Sequence, residues 1–435
     1  MSAAQALAPP RAEALPRLLA GASPGGPAVS LDDHLLRYGP PPGARGLAGL
    51  VDAAGLRGRG GAGFPTGRKL AAVAGAGRRP IVVANGVEGE PVSSKDRTLM
   101  RHVPHLVLDG ASLAAAAVGA REAIVAVGSG GRGHIDVLRA ALAERRRRRV
   151  DRVSIRLEPV PQRFVAGEET ALVSWLNGGP PKPTFTPPRP FERGVGRAPT
   201  LVQNVETLAN VALIARYGPG WFRLLGTREE PGTALVTLGG AVAAAGVYEV
   251  PLGLPLPELL EWAGGATVPV RAFLVGGYFG TWVPAADALR CPLSDAGLAS
   301  SGASLGARTI YALPERTCGL RQTARAASYL AGESAGQCGP CVHGLAAIAA
   351  ALERLARPGA DPADVRRVER WSGQVEGRGA CRHPDGAVRL VRSALTVFAD
   401  ELERHVRGRC TAPQVTGHGA ARAARSTGSS RGRHS

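Results

Sequence analysis

The chain has 435 residues, 44% of them apolar, which is too long for one ordinary core and rich enough in apolar side chains to bury two or three. Its formal net charge of +18 invites a nucleic-acid reading, but the excess gathers in a run of five arginines from Arg145 to Arg149 and in the tail after Cys410. Neither is interleaved with stacking aromatics, so a solvated basic face is expected and no nucleic-acid partner. The N-terminus lacks a charged-then-apolar leader and no apolar run could span a bilayer; with six cysteines in so long a chain, the reading is a soluble, cytoplasmic protein without direct membrane insertion.

In chain order, residues 1–45 are rich in Ala, Pro and Gly and are expected to pack loosely. Residues 46–228 alternate between patterns. Helices are predicted over 46–54, from Pro65 and Thr66 onward, over 105–120 and over 135–149; strands are predicted over 80–84, 122–127 and 153–160. That order argues a parallel α/β layer. From 229 to 314 short strands dominate (233–238, 247–250, 273–275, 308–312) around one helix at 256–262, as in a small β-grasp module. Residues 315–410 read as a helical bundle (320–331, 342–355, 362–375, 387–406), and 411–435 as a disordered basic tail.

Four motifs fall in the α/β part. The first, 55–69, packs Gly58, Gly60, Gly61 and Gly63 beside Phe64 and ends on a helix whose first turn carries Arg68 and Lys69. Exposed backbone N–H groups, a helix N-terminus and cations suit a phosphate. Its G-x-G-x-x-G match is misleading, because a helix rather than a strand precedes it. Of the 53 basic residues only Lys69, Lys95 and Lys182 are lysine, so an ammonium has been kept there where arginine serves elsewhere. The second motif, 85–97, follows a strand end and offers Asn85, Glu88 and Glu90. The third holds Gly167, Glu168 and Glu169, and the fourth offers Asn204 and Thr207. Ionised carboxylates repel phosphate but bind ribose hydroxyls and amide N–H groups well.

In the helical part, Cys338-Gly-Pro-Cys341 is followed by Cys381-Arg-His383. Taken alone this spacing fits zinc and iron–sulfur equally.

These stretches together, 55–69, 85–97, 167–170, 204–208 and 333–341, resemble in order the NADH-binding flavoprotein subunit of respiratory NADH:quinone oxidoreductase and its relatives in NAD-linked hydrogenases and formate dehydrogenases. The resemblance implies a Rossmann-like FMN and NADH domain, a β-grasp soluble-ligand-binding domain and a helical [4Fe–4S] domain. It implies that Gly58, Arg59, Gly60, Gly61, Lys69, Asn85, Glu88, Asn204 and Thr207 hold FMN, with Gly167 and Glu168 in the same site. Phe64, Glu90, Glu169 and Lys182 would face NADH, although Arg189 with Phe191 could replace Lys182 with Phe185. Cys338, Cys341 and Cys381 would bind the cluster, FMN itself carrying the catalysis. A ferredoxin-like or membrane-bound redox partner, and hence a hetero-oligomer, is implied.

The chain departs from the family pattern at Ala335, where a first cluster cysteine is usual, and at Val87, Gln203 and Ala72. The expected cluster therefore has three protein thiolates and is labile. Cys318 would lie roughly 15–20 Å away along its helix, leaving Cys410, Ser334, His343 or an exogenous ligand as the fourth. A zinc-stabilised scaffold of the same fold is the alternative.

Overall fold

The computed structural model describes residues 15–130 and 132–412. The expectation of a disordered tail concerns residues almost all of which lie outside this range.

The first sheet is parallel throughout, built from β1 (Ile81–Gly86), β2 (Glu122–Gly128), β3 (Ser154–Val160) and β4 (Thr200–Asn204) in the order β3-β2-β1-β4. Alternate residues face opposite ways along a strand. Val82, Ala84, Ala123 and Val125 thus enter one core with the helices Pro104–Val118 and Val205–Phe222, while Val83, Ile124 and Ala126 pack beneath Val87, Ala166 and Leu172 on the other face. Both faces are covered, as parallel sheets require. Strand β4 escaped the sequence reading because its five residues run directly into a helix.

A second, mixed sheet contains β5 (Thr233–Gly240), β6 (Gly246–Pro251), β7 (Val270–Val275), β8 (Thr281–Pro284) and β9 (Thr309–Pro314), in the order β6-β5-β9-β7-β8. Only the β5–β9 pair is parallel. Phe273 and Val275 fill this unit's own core around the helix Leu256–Trp262. Ala272 and Leu274, on the opposite face, pack with Trp282 against the C-terminal helices. Those helices are Gly319–Gly332, Leu345–Leu355, Pro362–Val375, His383–Val397 and Ala399–Val406. The long helix expected over 387–406 is two, broken at Phe398.

Two expectations need qualification. The described part of the N-terminal segment is largely solvent-facing but anchored at a few points: Leu18 is fully buried, and the helix Leu31–Tyr38 inserts His34 against Asp109 at 2.9 Å. The arginine run is not wholly solvated. Arg145 is completely buried and donates to Asp109 and Asp151 at 2.7 Å each, while Arg216 reaches the other oxygen of Asp109. Burial alone would raise the Asp109 carboxyl, but its hydrogen bond from His34 and the charges of Arg145 and Arg216 hold it well below the usual carboxylate range.

Candidate functional site

Strands β1, β2 and β3 step outward in one direction, and β4 returns to the other side of β1. The order reverses between β1 and β4, and the crevice at the carboxyl ends of such strands is where open α/β sheets bind ligands. Asn85 and Asn204, the residues at this crevice, stand directly opposite each other in the β1–β4 register.

The glycine loop arches over this point. It is pinched shut by a bridge between Arg57 and Pro65, with the Gly58 N–H on Phe64 O at 2.9 Å, and the helix Thr66–Ala74 follows at once. Thr207, fully buried, accepts the Arg59 N–H at 2.8 Å and so pins the arch. The Arg59 side chain is also buried, reaching Pro231 O at 3.3 Å, while Arg308 donates to Arg59 O at 2.6 Å. Burial, reinforced by Arg308, lowers the Arg59 guanidinium to about 9. Gly60 rests on Asn204, where a Cβ would come within 3.3 Å of the Asn204 Cβ.

Below the arch lies a cleft lined by Gly60, Asn85, Glu88, Glu90, Gly167, Glu168 and Asn204. Its walls approach closely: a Cβ on Gly89 would strike Phe164 O at 2.4 Å, and one on Gly167 would strike Val87 O at 2.6 Å. Asn85 ties the walls together, donating to Gly167 O at 2.8 Å and accepting from the Val87 N–H. Most of the carboxylates are committed. Glu88 accepts the Asp96 and Arg97 N–H groups at the start of the helix Lys95–His102. Glu168 caps the helix Glu169–Leu176 through the Thr170 and Ala171 N–H groups at 2.9 Å each, and burial raises its pKa. Glu90 accepts the Tyr278 N–H at 2.8 Å; burial pushes its carboxyl up to about 7 against those backbone donors.

Lys95 and Asp96, which the sequence reading did not place in the site, also line the cleft. Lys95 donates to Asp96 at 2.7 Å and to Glu206 at 2.8 Å, and Asp96 accepts from Asn204 at 2.8 Å. Burial pulls the Lys95 ammonium down, but the two carboxylates more than offset it. A third ammonium hydrogen remains available. The scarcity of lysine marks Lys95 in the sequence, without giving it a role.

Other expected residues lie outside this cleft's walls. Lys69 is turned to Glu169 at 2.7 Å, Phe64 is largely exposed on the arch, and Gly58, Arg59, Gly61 and Thr207 form or support the arch. A second cleft shares Glu168, Pro183, Cys381 and Arg382 with the first and adds Glu169 and Arg189. Of the two alternatives, Arg189 lines it and Lys182 does not. Phe191 packs against the core and Phe185 projects into solvent.

The cysteine loops reach the same cavity. Cys338 and Cys341 flank the first turn of the helical segment Pro340–Gly344, and the 379–383 loop brings Cys381 to them. Burial, then the neighbouring Cys338 and Cys381 sulfurs, push the Cys341 thiol up to about 12. Burial would raise Cys338 too, yet the Ala380 and Cys341 N–H groups lower it. Such a thiol set suits a cation or a cluster that takes thiolates. Ala335 is buried beside them and supplies no donor. His383, the histidine of the zinc-like spacing, instead bonds Leu330 O through Nε2 at 2.8 Å, its ring edge-on to Phe164 and Phe279. Neither Cys318 nor Cys410 joins this group; they lie beside each other, with His405 and Glu401. Cys381, Arg382 and His383 themselves form part of the first cleft's wall.

Comparison with known proteins agrees with this layout. The Nuo51 FMN-binding domain family matches residues 51–213, the SLBB domain family 235–277, and the NADH-ubiquinone oxidoreductase-F iron-sulfur binding region 321–405. The F subunit of the NADH-quinone oxidoreductase of Mycobacterium tuberculosis (strain ATCC 25618 / H37Rv) is 36% identical over 378 residues, covering 82% of this chain and 84% of that protein. The second F subunit of the same oxidoreductase in Rhizobium meliloti (strain 1021) is 33% identical over 373 residues, covering 83% and 88%. Among solved structures, the NAD+-reducing [NiFe]-hydrogenase in its H2-reduced state matches with a TM-score of 0.78 and 32% identity, over 83% of this chain. The chain spans 62% of that hydrogenase chain.

Proposed function

Since the chain belongs to the family of NADH-quinone oxidoreductase F subunits, we propose that it is an NADH-oxidising flavoprotein that passes electrons through FMN to an iron–sulfur cluster and on to a redox partner. The observation that carries this reading is the shared cavity: the loop bearing Cys381 walls the same cleft as Gly60, Asn85 and Asn204. The domains follow the same division, an FMN and NADH unit at 46–228, a β-grasp soluble-ligand-binding unit at 229–314 and a helical iron–sulfur unit at 315–410. Six cysteines in so long a chain, three of them brought together in one thiol group, support a reducing, cytoplasmic setting. Among the described residues no helix is long and apolar enough to cross a membrane. The mycobacterial and rhizobial relatives are subunits of larger oxidoreductases, which supports a hetero-oligomer.

The donor set fits the implied groups. Wall glycines bring backbone to the cleft, Asn85, Asn204 and Lys95 supply polar contacts, and three thiols converge behind Cys381. FMN would be held by the 58–61 arch with Asn85, Asn204 and Lys69, while Thr207 and Arg59 keep the arch in place. Glu88 and Glu168 act through the first turns of the helices Lys95–His102 and Glu169–Leu176, whose N–H groups they accept. Phe64, Glu90 and Glu169 address NADH, with Lys182 or Arg189 as the accompanying cation. What the bound flavin supplies is conversion of a two-electron hydride into single-electron transfers. The edge-packed Phe164, Phe279 and His383 give the cleft an apolar wall beside Cys381. Cys338, Cys341 and Cys381 would hold the cluster through three thiolates, with Ala335 supplying no fourth.

Carboxylates at Glu90 and Glu169, the two not spent on a helix start, favour a free 2′-hydroxyl over a 2′-phosphate, so NADH should be preferred to NADPH. Anaerobic stopped-flow mixing of the FMN-loaded protein with either nucleotide tests the function. Rapid bleaching of the flavin by NADH, followed by appearance of a reduced-cluster resonance, is expected. Protein that binds no flavin, or flavin untouched by NADH, would refute the reading.

A further inference from the structure

Outside the cleft, the described residues hold a compact group of four donors that the proposed electron path does not use: Cys318, Glu401, His405 and Cys410, with one ligating atom from each lying within 4.8 Å of all the others. Cys318, Glu401 and His405 are at most 1% exposed, and Cys410 is partly covered. We propose that these four side chains form a structural zinc site that fastens the C-terminal end of the described chain to the helical region.

The two donor distances around His405 Nε2 are those of a single tetrahedral ion, and the remaining donors fall within 4.8 Å of one another. With Zn–S near 2.3 Å and Zn–N or Zn–O near 2.0–2.1 Å, a sulfur and a nitrogen on one tetrahedron stand about 3.5 Å apart, and a nitrogen and an oxygen about 3.3 Å. Cys318 Sγ is 3.6 Å from His405 Nε2, and Glu401 Oε1 is 3.2 Å from the same nitrogen. An iron–sulfur cubane, by contrast, places its metals between ligands that stand farther apart, and only two thiols are present here.

The surroundings are those of ligands held in position. His405 donates from Nδ1 to Leu355 O at 2.7 Å, leaving the Nε2 lone pair directed at Cys318 and Glu401. Cys318 Sγ accepts the Arg321 N–H at 3.4 Å from the first turn of the helix Gly319–Gly332. Glu401 Oε2 is engaged by Arg271 at 2.9 Å, which orients Oε1 toward the other donors, and Oε1 also accepts the Thr411 N–H at 2.8 Å. Binding would release one proton from each thiol. Two thiolates and Glu401 then face a divalent ion and Arg271, whose other amine group is shared with the more exposed Asp400. Two thiolates and an imidazole select zinc over magnesium or calcium. The closed shell, with no open position, marks a structural rather than catalytic ion.

The test is metal analysis of the full chain purified with its flavin and iron. The parent should hold about one zinc per chain; Cys410→Ser should lose it while keeping iron and flavin, and Cys338→Ser should lose iron while keeping zinc. Zinc K-edge absorption of the parent, which needs no variant to fold, should read two sulfurs near 2.3 Å and two lighter ligands near 2.0–2.1 Å. A parent free of zinc even when expressed with added zinc, zinc lost from Cys338→Ser but kept in Cys410→Ser, or a shell of three or four sulfurs would each overturn the proposal.

Discussion

The cofactor cleft and the Cys318–Cys410 corner are both built from groups able to bind ions or cofactors, yet they are made in opposite ways. In the cleft the polar groups are spent largely on holding one another and the ends of short helices, and what faces the cavity is backbone, two amides, these already partnered charged groups and one side of a cysteine loop. At the corner, side chains from three parts of the chain converge, three of the four being fully buried. The difference separates a place that must admit and release a ligand from one that need only stay closed. Substitutions in the cleft should therefore change binding and electron flow more than stability, and those at the corner the reverse.

The largest break in that comparison would come from Cys381, which belongs to the cleft wall and to the thiol group at once. Cys381→Ser should cut NADH-driven reduction of a one-electron protein acceptor by at least about 100-fold, or about 2.7 kcal/mol, while flavin content stays near that of the parent. Steady-state assays with parallel iron analysis check it. A smaller effect is expected at Lys69. Its ion pair with Glu169 is partly exposed, so Lys69→Ala should cost under about 1 kcal/mol in folding stability. The lost charge-assisted phosphate contact should weaken FMN by roughly 1.5–3 kcal/mol, seen by fluorescence titration. Equal flavin affinity in parent and variant would remove Lys69 from the site.

Glu90 sharpens the comparison through pH. Its folded carboxyl titrates at about 7 because of burial, against 4.5 for an unburied one. The folded chain therefore binds this proton more tightly than the unfolded chain does. The contribution to stability is fully present below pH 4.5, declines as pH rises to about 7 and is flat above. Glu90→Gln should abolish that decline and gain roughly 1–2 kcal/mol at pH 8, read from melting temperature against pH. The smallest effect concerns Ala335. Restoring a thiol with Ala335→Cys should raise the iron retained after brief air exposure by about two- to threefold, measured with electron paramagnetic resonance, because a fourth thiolate protects the exposed iron. Unchanged retention would mean that the open position is already filled.

Much of the molecule was readable from local pattern. The helices at Leu256–Trp262 and Pro362–Val375 coincide with their predicted spans, and β1, β2 and β3 lie within a few residues of theirs, because hydrophobic period, caps and glycine stops act over a few neighbours. The glycine arch, the Asn85 and Asn204 positions and the Cys338–Cys341 pair stand out for the same reason, since each motif is short and contiguous; Cys381, far along the chain, is joined to them as a cluster ligand only by the family resemblance. Other features depended on chain separations of tens to hundreds of residues. Arg145 looked like one more solvated arginine until Asp109, 36 residues earlier, was folded against it. Glu88 and Glu168 looked like cofactor ligands, but their oxygens are drawn to helix N-termini that lie two to nine residues on, where unpaired N–H groups compete for them. Lys69 found Glu169 across 100 residues, and Cys318 found His405 across 87. Local sequence determines which segments curl or extend and where backbone is left open; which charged and sulfur-bearing side chains meet is decided only when burial forces each to find a partner.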